Sequence, residues 1–403
     1  MKISIQTLRK IIIITVFVLV AALLTWLIYF VFFRTPKVSE PTPTITPTST
    51  PIGGLPGTEP RGEIPRVIPG KPGELPSAIA KGGLTQTNSV VGSPVSGIAL
   101  SGNSLLYYDS IEGKFFSISP EGNVVSLSDK KFSQVQNVSW SPSSETAILE
   151  FPDGANIYYD FANERQVTLP KHWAEFGFSP SGDKIIFKSI AQEPENNFLA
   201  IADPNGGNAQ IIASLGDYPD RVFPSWSPNR QIVATHYEPV DGERSELFFM
   251  GLNNENFKSV VVNGYGIETL WNPNGSQLLY SASATETNDS PALWIVNAEG
   301  EAIGSGRRPL NLATNADKCV FSDTTTLYCA VPQFLPQGSG IMPSIADGIP
   351  DDIYKIDVTT GATSLLANLD IPLSINSLML SPDKRFIYFT DDATNRLRSI
   401  RLE

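Results

Sequence analysis

The pattern of apolar and polar positions divides the chain into three segments. Residues 11–33, IIIITVFVLVAALLTWLIYFVFF, form 23 consecutive uncharged positions. As a helix rising about 1.5 Å per residue they would reach roughly 35 Å, enough to cross a bilayer with some tilt. Trp26 and Tyr29 lie towards the C-terminal end, with Arg34 and Lys37 just beyond, as side chains at a membrane interface do. The apolar core of a cleavable signal peptide spans only about 7 to 15 residues and ends at small side chains. This run ends instead in Phe30, Val31, Phe32 and Phe33. The expectation is an uncleaved transmembrane helix over 11–33. Lys2, Arg9, Lys10 and the terminal amine precede it and two basic residues follow, a slight bias towards a cytoplasmic segment over 1–10.

The second segment, 34–83, has no apolar periodicity. Residues 35–83 include 11 prolines, in strings such as TPTITPTSTP and GKPGELP. Such a stretch cannot bury enough apolar surface to offset its ordering entropy, and proline at this density favours extended conformations. It reads as a disordered Pro/Thr-rich stalk.

From residue 84 to 403 the pattern changes again, to short runs of β-branched and aromatic residues broken by Gly, Pro, Asn and Asp, the punctuation of strands and turns. One string recurs: VSWSPSSETAILEF, FGFSPSGDKIIFKS, FPSWSPNRQIVATHY, ETLWNPNGSQLLYSA, CVFSDTTTLYCAV and LMLSPDKRFIYFT, with a weaker first copy IALSGNSLLYYD. Its anchor residues are Leu100, Trp140, Phe178, Trp226, Trp271, Phe321 and Leu380, spaced by 40, 38, 48, 45, 50 and 59. A period of 40 to 50 is that of a β-propeller blade of four antiparallel strands, a, b, c and d, which buries both faces only between neighbours. Seven anchors predict an all-β, seven-bladed β-propeller over 84–403, with six blades if the first copy is irregular. The seventh copy ends in RLRSIRLE with no fourth strand, so residues 84–91 are expected to close the ring.

The turn in FSPSGDKIIF and LSPDKRFIYF, followed by patterns such as LWIVNAEGEA and FLAIADPNGGNAQ, resembles the TolB-like or WD40-like (PD40) repeat family of bacterial β-propellers. The resemblance covers most of residues 90–403. It implies the fold and leaves function open, because such propellers include adaptors, envelope proteins and enzyme accessory domains. The α/β domain that precedes the propeller in TolB has no counterpart here, so a TolB role in colicin import is not implied.

Charge narrows the partners. The net charge is −12. Residues 1–37 carry five basic and no acidic side chains and 38–83 cancel, which leaves −17 on 84–403. A nucleic-acid surface is not expected from such a body. Two His and two Cys leave little material for zinc or histidine chemistry, and no nucleophile-elbow, zinc-hydrolase or P-loop string occurs. No catalytic residue, metal ligand or cofactor is therefore assigned. His172 and His236 lie near strand ends and read as structural. Asp160, Asp203 and Asp357, with Asn253 and Asn297, end their c strands and are expected to close Asx turns. Trp140, Trp226 and Trp271 are read as wedges between blades. Cys319 and Cys329 are symmetric about Thr324 in KCVFSDTTTLYC, which places them opposite each other on two strands: a disulfide, or two buried thiols.

Extra length concentrates in the b-to-c connections, at residues 189–197, 238–246, 284–292 and 333–352, all on one face. The last carries Phe334, Leu335, Ile341, Met342 and Ile345, which either dock on the propeller's own rim or meet a partner. The expected function is a noncatalytic scaffold that binds an envelope or extracellular protein or peptide, held in the cytoplasmic membrane by a single helix with its propeller outside. The alternative is a propeller enzyme or glycan binder acting on cell-surface carbohydrate. The two differ at the central channel: convergent carboxylates with raised pKa values around a polar cavity there would favour that alternative, and a loop face with an apolar patch and a blocked channel would favour the scaffold.

Overall fold

A computed structural model of the chain describes residues 19–20, 22–26, 75–253 and 255–403. Most of the segments 11–33 and 34–83 lie outside these. Residues 19–20 and 22–26 are helical, and among the described residues no helix is long and apolar enough to cross a membrane. The described residues before and after position 65 belong to two separate units.

The second unit is all-β, in six hydrogen-bonded sheets. Four of these are four-stranded and antiparallel in chain order, spanning 137–169, 173–214, 222–263 and 265–309. A fifth contains Cys319–Phe321, Thr326–Pro332, Asp351–Asp357 and Ala362–Leu369, with Gly83–Thr85 added parallel to its outer edge. The sixth runs Ile375–Leu380, Phe386–Asp391, Arg396–Arg401, Asn88–Ser101, Ser104–Asp109, Lys114–Ile118 and Val124–Ser126.

One strand joins the two halves of that sixth sheet. The first part of Asn88–Ser101 pairs with Arg396–Arg401, Asn88 opposite Ser399 and Pro94 opposite Arg396. Its second part pairs with Ser104–Asp109, from Val95 opposite Asp109 to Ser101 opposite Ser104. The chain's start thus supplies the fourth strand to its end. The closing residues are 88–94 and not the whole of 84–91: Leu84 instead faces Asn368 on the neighbouring sheet. Order begins before residue 84, since Ala80 is buried and its N–H donates to the Arg401 carbonyl at 2.8 Å.

The recurring turn has a physical basis. In five copies the residue after the anchor, Ser141, Ser179, Ser227, Asn272 or Ser381, uses its side-chain oxygen to accept the N–H of the residue five later, at 2.9 to 3.3 Å. The residue three positions on has positive φ in all five: Ser144, Gly182, Arg230, Gly275 and Lys384. Glycine meets that requirement without strain, and the others are held there by the hairpin around them. The copy at Ser322 is one residue shorter, with Asp323 Oδ1 accepting from Thr325 and Thr326.

Apolar clusters lie at the junctions between successive sheets. Phe115 lies among Tyr108, Phe132, Trp140 and Phe161, with ring centroids 5.0 to 5.8 Å away. Trp140 also donates Nε1–H to the Gly97 carbonyl of the adjacent sheet at 2.7 Å. Trp226 packs in a cluster with Ile186 and Leu199 of the preceding sheet, and Trp271 lies 6.3 Å from Phe249 of its own predecessor. The other anchors, Leu100, Phe178, Phe321 and Leu380, begin their hairpins opposite Leu105, Ile185, Leu327 and Ile387. Cys319 and Cys329 face each other in register and are joined by a disulfide. By the loop-closure argument a cross-link across ten residues of sequence contributes about 2 to 3 kcal/mol.

Candidate functional site

The face that carries the b-to-c and d-to-a connections is dominated by one loop. Of the four expected insertions, 238–246 is mostly strand, with Glu238 opposite Glu246 and Pro239 opposite Ser245. Strand pairing likewise continues to Ala284 opposite Ser290, leaving a five-residue turn. The segment 189–197 is a short connection containing one 3-10 turn, Pro194–Asn196. Only 333–350 remains a long excursion, with a single 3-10 turn at Pro343–Ala346.

Polar contacts hold this loop. The Gln333 N–H donates to Pro350 O at 2.9 Å and closes its base. Gly338 and Gly340 donate their N–H groups to the carbonyls of Asn288 and Asp289, at 3.0 and 2.7 Å. Asn288 and Asp289 present those carbonyls because both adopt positive φ, 55° and 56°, a conformation that Asn and Asp tolerate better than most. Buried Ser339 donates its hydroxyl to Ser290 Oγ at 3.2 Å. Gly340 seats against the neighbouring hairpin so closely that a Cβ there would lie 1.9 Å from Ser283 Oγ. This contact needs glycine.

A loop fixed so firmly could have turned its apolar side chains inward. It does not: Phe334 is 56% exposed, Ile341 67%, Met342 57% and Ile345 40%. Leu335 alone of the five turns back, lining a cavity of about 160 Å³ under the loop.

The floor of that cavity is charged. Lys318 sits in the 3-10 turn Ala316–Lys318 and reaches Asp351 with Nζ–O distances of 2.9 and 3.1 Å. Asp351 is 1% exposed, and its Oδ2 also accepts the Ile375 N–H at 2.6 Å. Burial pushes the Asp351 carboxyl up, and Lys318 opposes that shift. Asp317, Asp347 and Asp392 line the same cavity.

Behind Asp317 lies Glu268, on the strand Tyr265–Trp271. The two carboxyls meet because the N–H of Ala316 donates to Ser281 Oγ at 3.1 Å, and Ser281 is the cross-strand partner of Glu268. Burial, and then the charge of Asp317, push the Glu268 carboxyl up to about 8. Asp317 is raised in the same direction by desolvation of its carboxyl, although the residue as a whole is exposed. At neutral pH the pair therefore holds a proton between the two carboxyls. Neither residue belongs to a sequence motif, and 49 positions separate them.

The remaining sequence candidates lie elsewhere. Asp160 accepts the Asn163 N–H at 3.0 Å and Asp357 that of Thr359 at 2.7 Å, while Asp203 accepts from Lys184 Nζ at 2.6 Å. His172 stands edge-on to Trp173, and His236 stacks on Phe248. A second cavity, about 180 Å³, is lined by Val95–Ile98 of the strand Asn88–Ser101 together with residues of Ile375–Leu380 and Phe386–Asp391, and Asn376 borders both cavities. Among the described residues no group of three or more His, Cys, Asp or Glu is placed to hold a metal ion.

No family model matches the chain, and no curated protein matches it. Solved structures do. An oligogalacturonate lyase in complex with manganese is similar at a TM-score of 0.55 and 14% identity, over 79% of this chain and 93% of that one. The β-propeller domain of Cps50 (Swd1) from Myceliophteria thermophila gives 0.51 and 12%, covering 79% of this chain and 100% of that one. The tricorn protease gives 0.51 and 10%, over 82% of this chain and 36% of that one. These similar structures include both enzymes and a propeller domain without a named activity, so what they share with this chain is the fold, a β-propeller.

Proposed function

We propose that the protein is a noncatalytic scaffold that binds a protein or peptide partner through the face carrying residues 333–350. Four large apolar side chains, Phe334, Ile341, Met342 and Ile345, are held in solvent by a loop whose backbone is pinned to the adjacent hairpin. Exposed apolar patches on a rigid rim are the usual mark of a docking surface. The strand Asn88–Ser101 shared by two sheets supports a count of seven blades, of the TolB-like, WD40-like kind that the turn motif resembles. The hydrophobic run 11–33, the stalk and the Cys319–Cys329 disulfide support a body displayed outside the cytoplasmic membrane.

The combined variant Phe334→Ser, Ile341→Ser, Met342→Ser tests this reading. Because these side chains are exposed, its melting temperature should stay within about 2 °C of the wild type, the effect of ordinary surface changes. Co-purification of the partner from cells should fall at least about tenfold, as hot-spot truncation does. A variant that melts far lower would mean that the side chains pack on their own propeller.

The Glu268–Asp317 pair favours a second reading, an enzyme or glycan binder acting on cell-surface carbohydrate, since two carboxyls that share a proton beside a cavity are suited to acid–base work. On that reading Asp317→Asn abolishes turnover of an added oligosaccharide.

A further inference from the structure

The cavity behind the loop adds a charge requirement to the apolar patch. Its volume of about 160 Å³ holds on the order of ten water-sized spheres, enough to admit a long side chain. Leu335, Pro343 and Ala346 give the lining an apolar part, and Asp317, Asp347 and Asp392 add three carboxylates to it. The single cation in the lining, Lys318, is already neutralised by Asp351. Among the described residues no Lys, Arg or His nitrogen lies within 4.0 Å of the Asp317, Asp347 or Asp392 carboxylates. These three carboxylates are not gathered as metal ligands would be. What complements such a lining is a cation carried on a flexible apolar stem, and the surplus of −17 over residues 84–403 would steer a basic segment towards it.

We propose that this face docks an extended peptide segment of a partner protein, whose lysine or arginine enters the cavity between Asp317, Asp347 and Asp392 while an adjacent large apolar side chain packs on Phe334, Ile341 and Met342. The proposal rests on the partner-binding reading above and adds what the partner must carry. A basic stem lies along Leu335 and Pro343 with its charged end among the carboxylates, as amphipathic side chains do at interfaces. The rim contact then excludes water from the charge pair.

The test is selection of a bead-displayed random decapeptide library on the purified full-length protein, followed by fluorescence anisotropy of the enriched sequences. The expected winners carry Lys or Arg within two positions of Phe, Leu, Ile, Met or Trp. Their affinity should fall at least tenfold with Asp347→Asn, Asp392→Asn, with Phe334→Ser, Ile341→Ser, and when the basic residue is replaced by norleucine. Winners that lack a basic residue, or that ignore the aspartate changes yet are lost with the loop changes, would overturn the charge proposal and leave the partner-binding reading standing. Winners unaffected by either pair of changes would overturn both. Selection of no peptide at all would overturn the peptide proposal, with partner capture remaining as the independent test of the scaffold.

Discussion

Replacing Glu268 with glutamine should stabilise the protein at pH 8 and above and remove much of its loss of stability between pH 5 and pH 8. The carboxyl titrates near 4.5 when unperturbed and is pushed up to about 8 in the folded chain. Because the folded value is the higher one, the native state binds the extra proton across that window. The group's contribution is therefore fully present below 4.5 and is lost as pH rises through about 8. At about 1.4 kcal/mol per pH unit the full window would amount to about 5 kcal/mol. Sharing of the proton with Asp317 and partial contact with water reduce this to about 2 to 4 kcal/mol. Glutamine keeps the shape and a donor towards Asp317 while removing the charge. Thermal unfolding of both proteins from pH 5 to pH 9 checks this: the curves should meet near pH 5 and diverge by several degrees at pH 9. Parallel curves would mean that the Glu268 carboxyl is not raised in the folded protein.

The second large effect is expected where two sheets meet. Phe115 is 1% exposed and touches four other rings, from Tyr108 on its own sheet to Trp140 and Phe161 on the next. Phe115→Ala removes that contact set and leaves a cavity that surrounding strands cannot close, at a cost of about 3 to 5 kcal/mol. Val125, on an outer strand and 62% exposed, is the control: Val125→Ala should change stability by less than about 0.5 kcal/mol. Urea unfolding of both variants measures the difference. A cost below about 1 kcal/mol for Phe115→Ala would show that neighbouring sheets do not depend on each other for burial.

How far the sequence could be read follows from where each feature is encoded. The repeat was legible because its chemistry is local: a Ser or Asn oxygen accepts an N–H five residues on, and the intervening positive φ favours Gly182 and Gly275. The pairing of Cys319 with Cys329 was also within reach, since a hairpin's register places them opposite each other. The closing strand was only approximately legible. Residues 83–85 and 88–94 have similar β character, and the choice between them depends on edges supplied more than 280 residues later. The Glu268–Asp317 pair was not legible at all, because GIETLW and NADKCV acquire meaning only when one strand and one turn from successive sheets converge. The outward direction of Phe334 and Ile341 was equally hidden. Composition shows that a loop holds apolar side chains, but the hydrogen bonds to Asn288 and Asp289 decide which way they face.

The most direct test of the partner-binding face is site-specific photo-crosslinking in cells, with a photoreactive residue placed at Phe334 or Ile341 and, as a control, at Lys384 in a turn between the first two strands of its sheet, on the opposite side. The account predicts one discrete crosslinked protein from both loop positions, absent from Lys384 and absent when residues 334–349, between the Gln333–Pro350 closing bond, are replaced by a short Gly-Ser turn in a chain that still folds. The same products from both sides, or none from the loop in a folded protein, would contradict it.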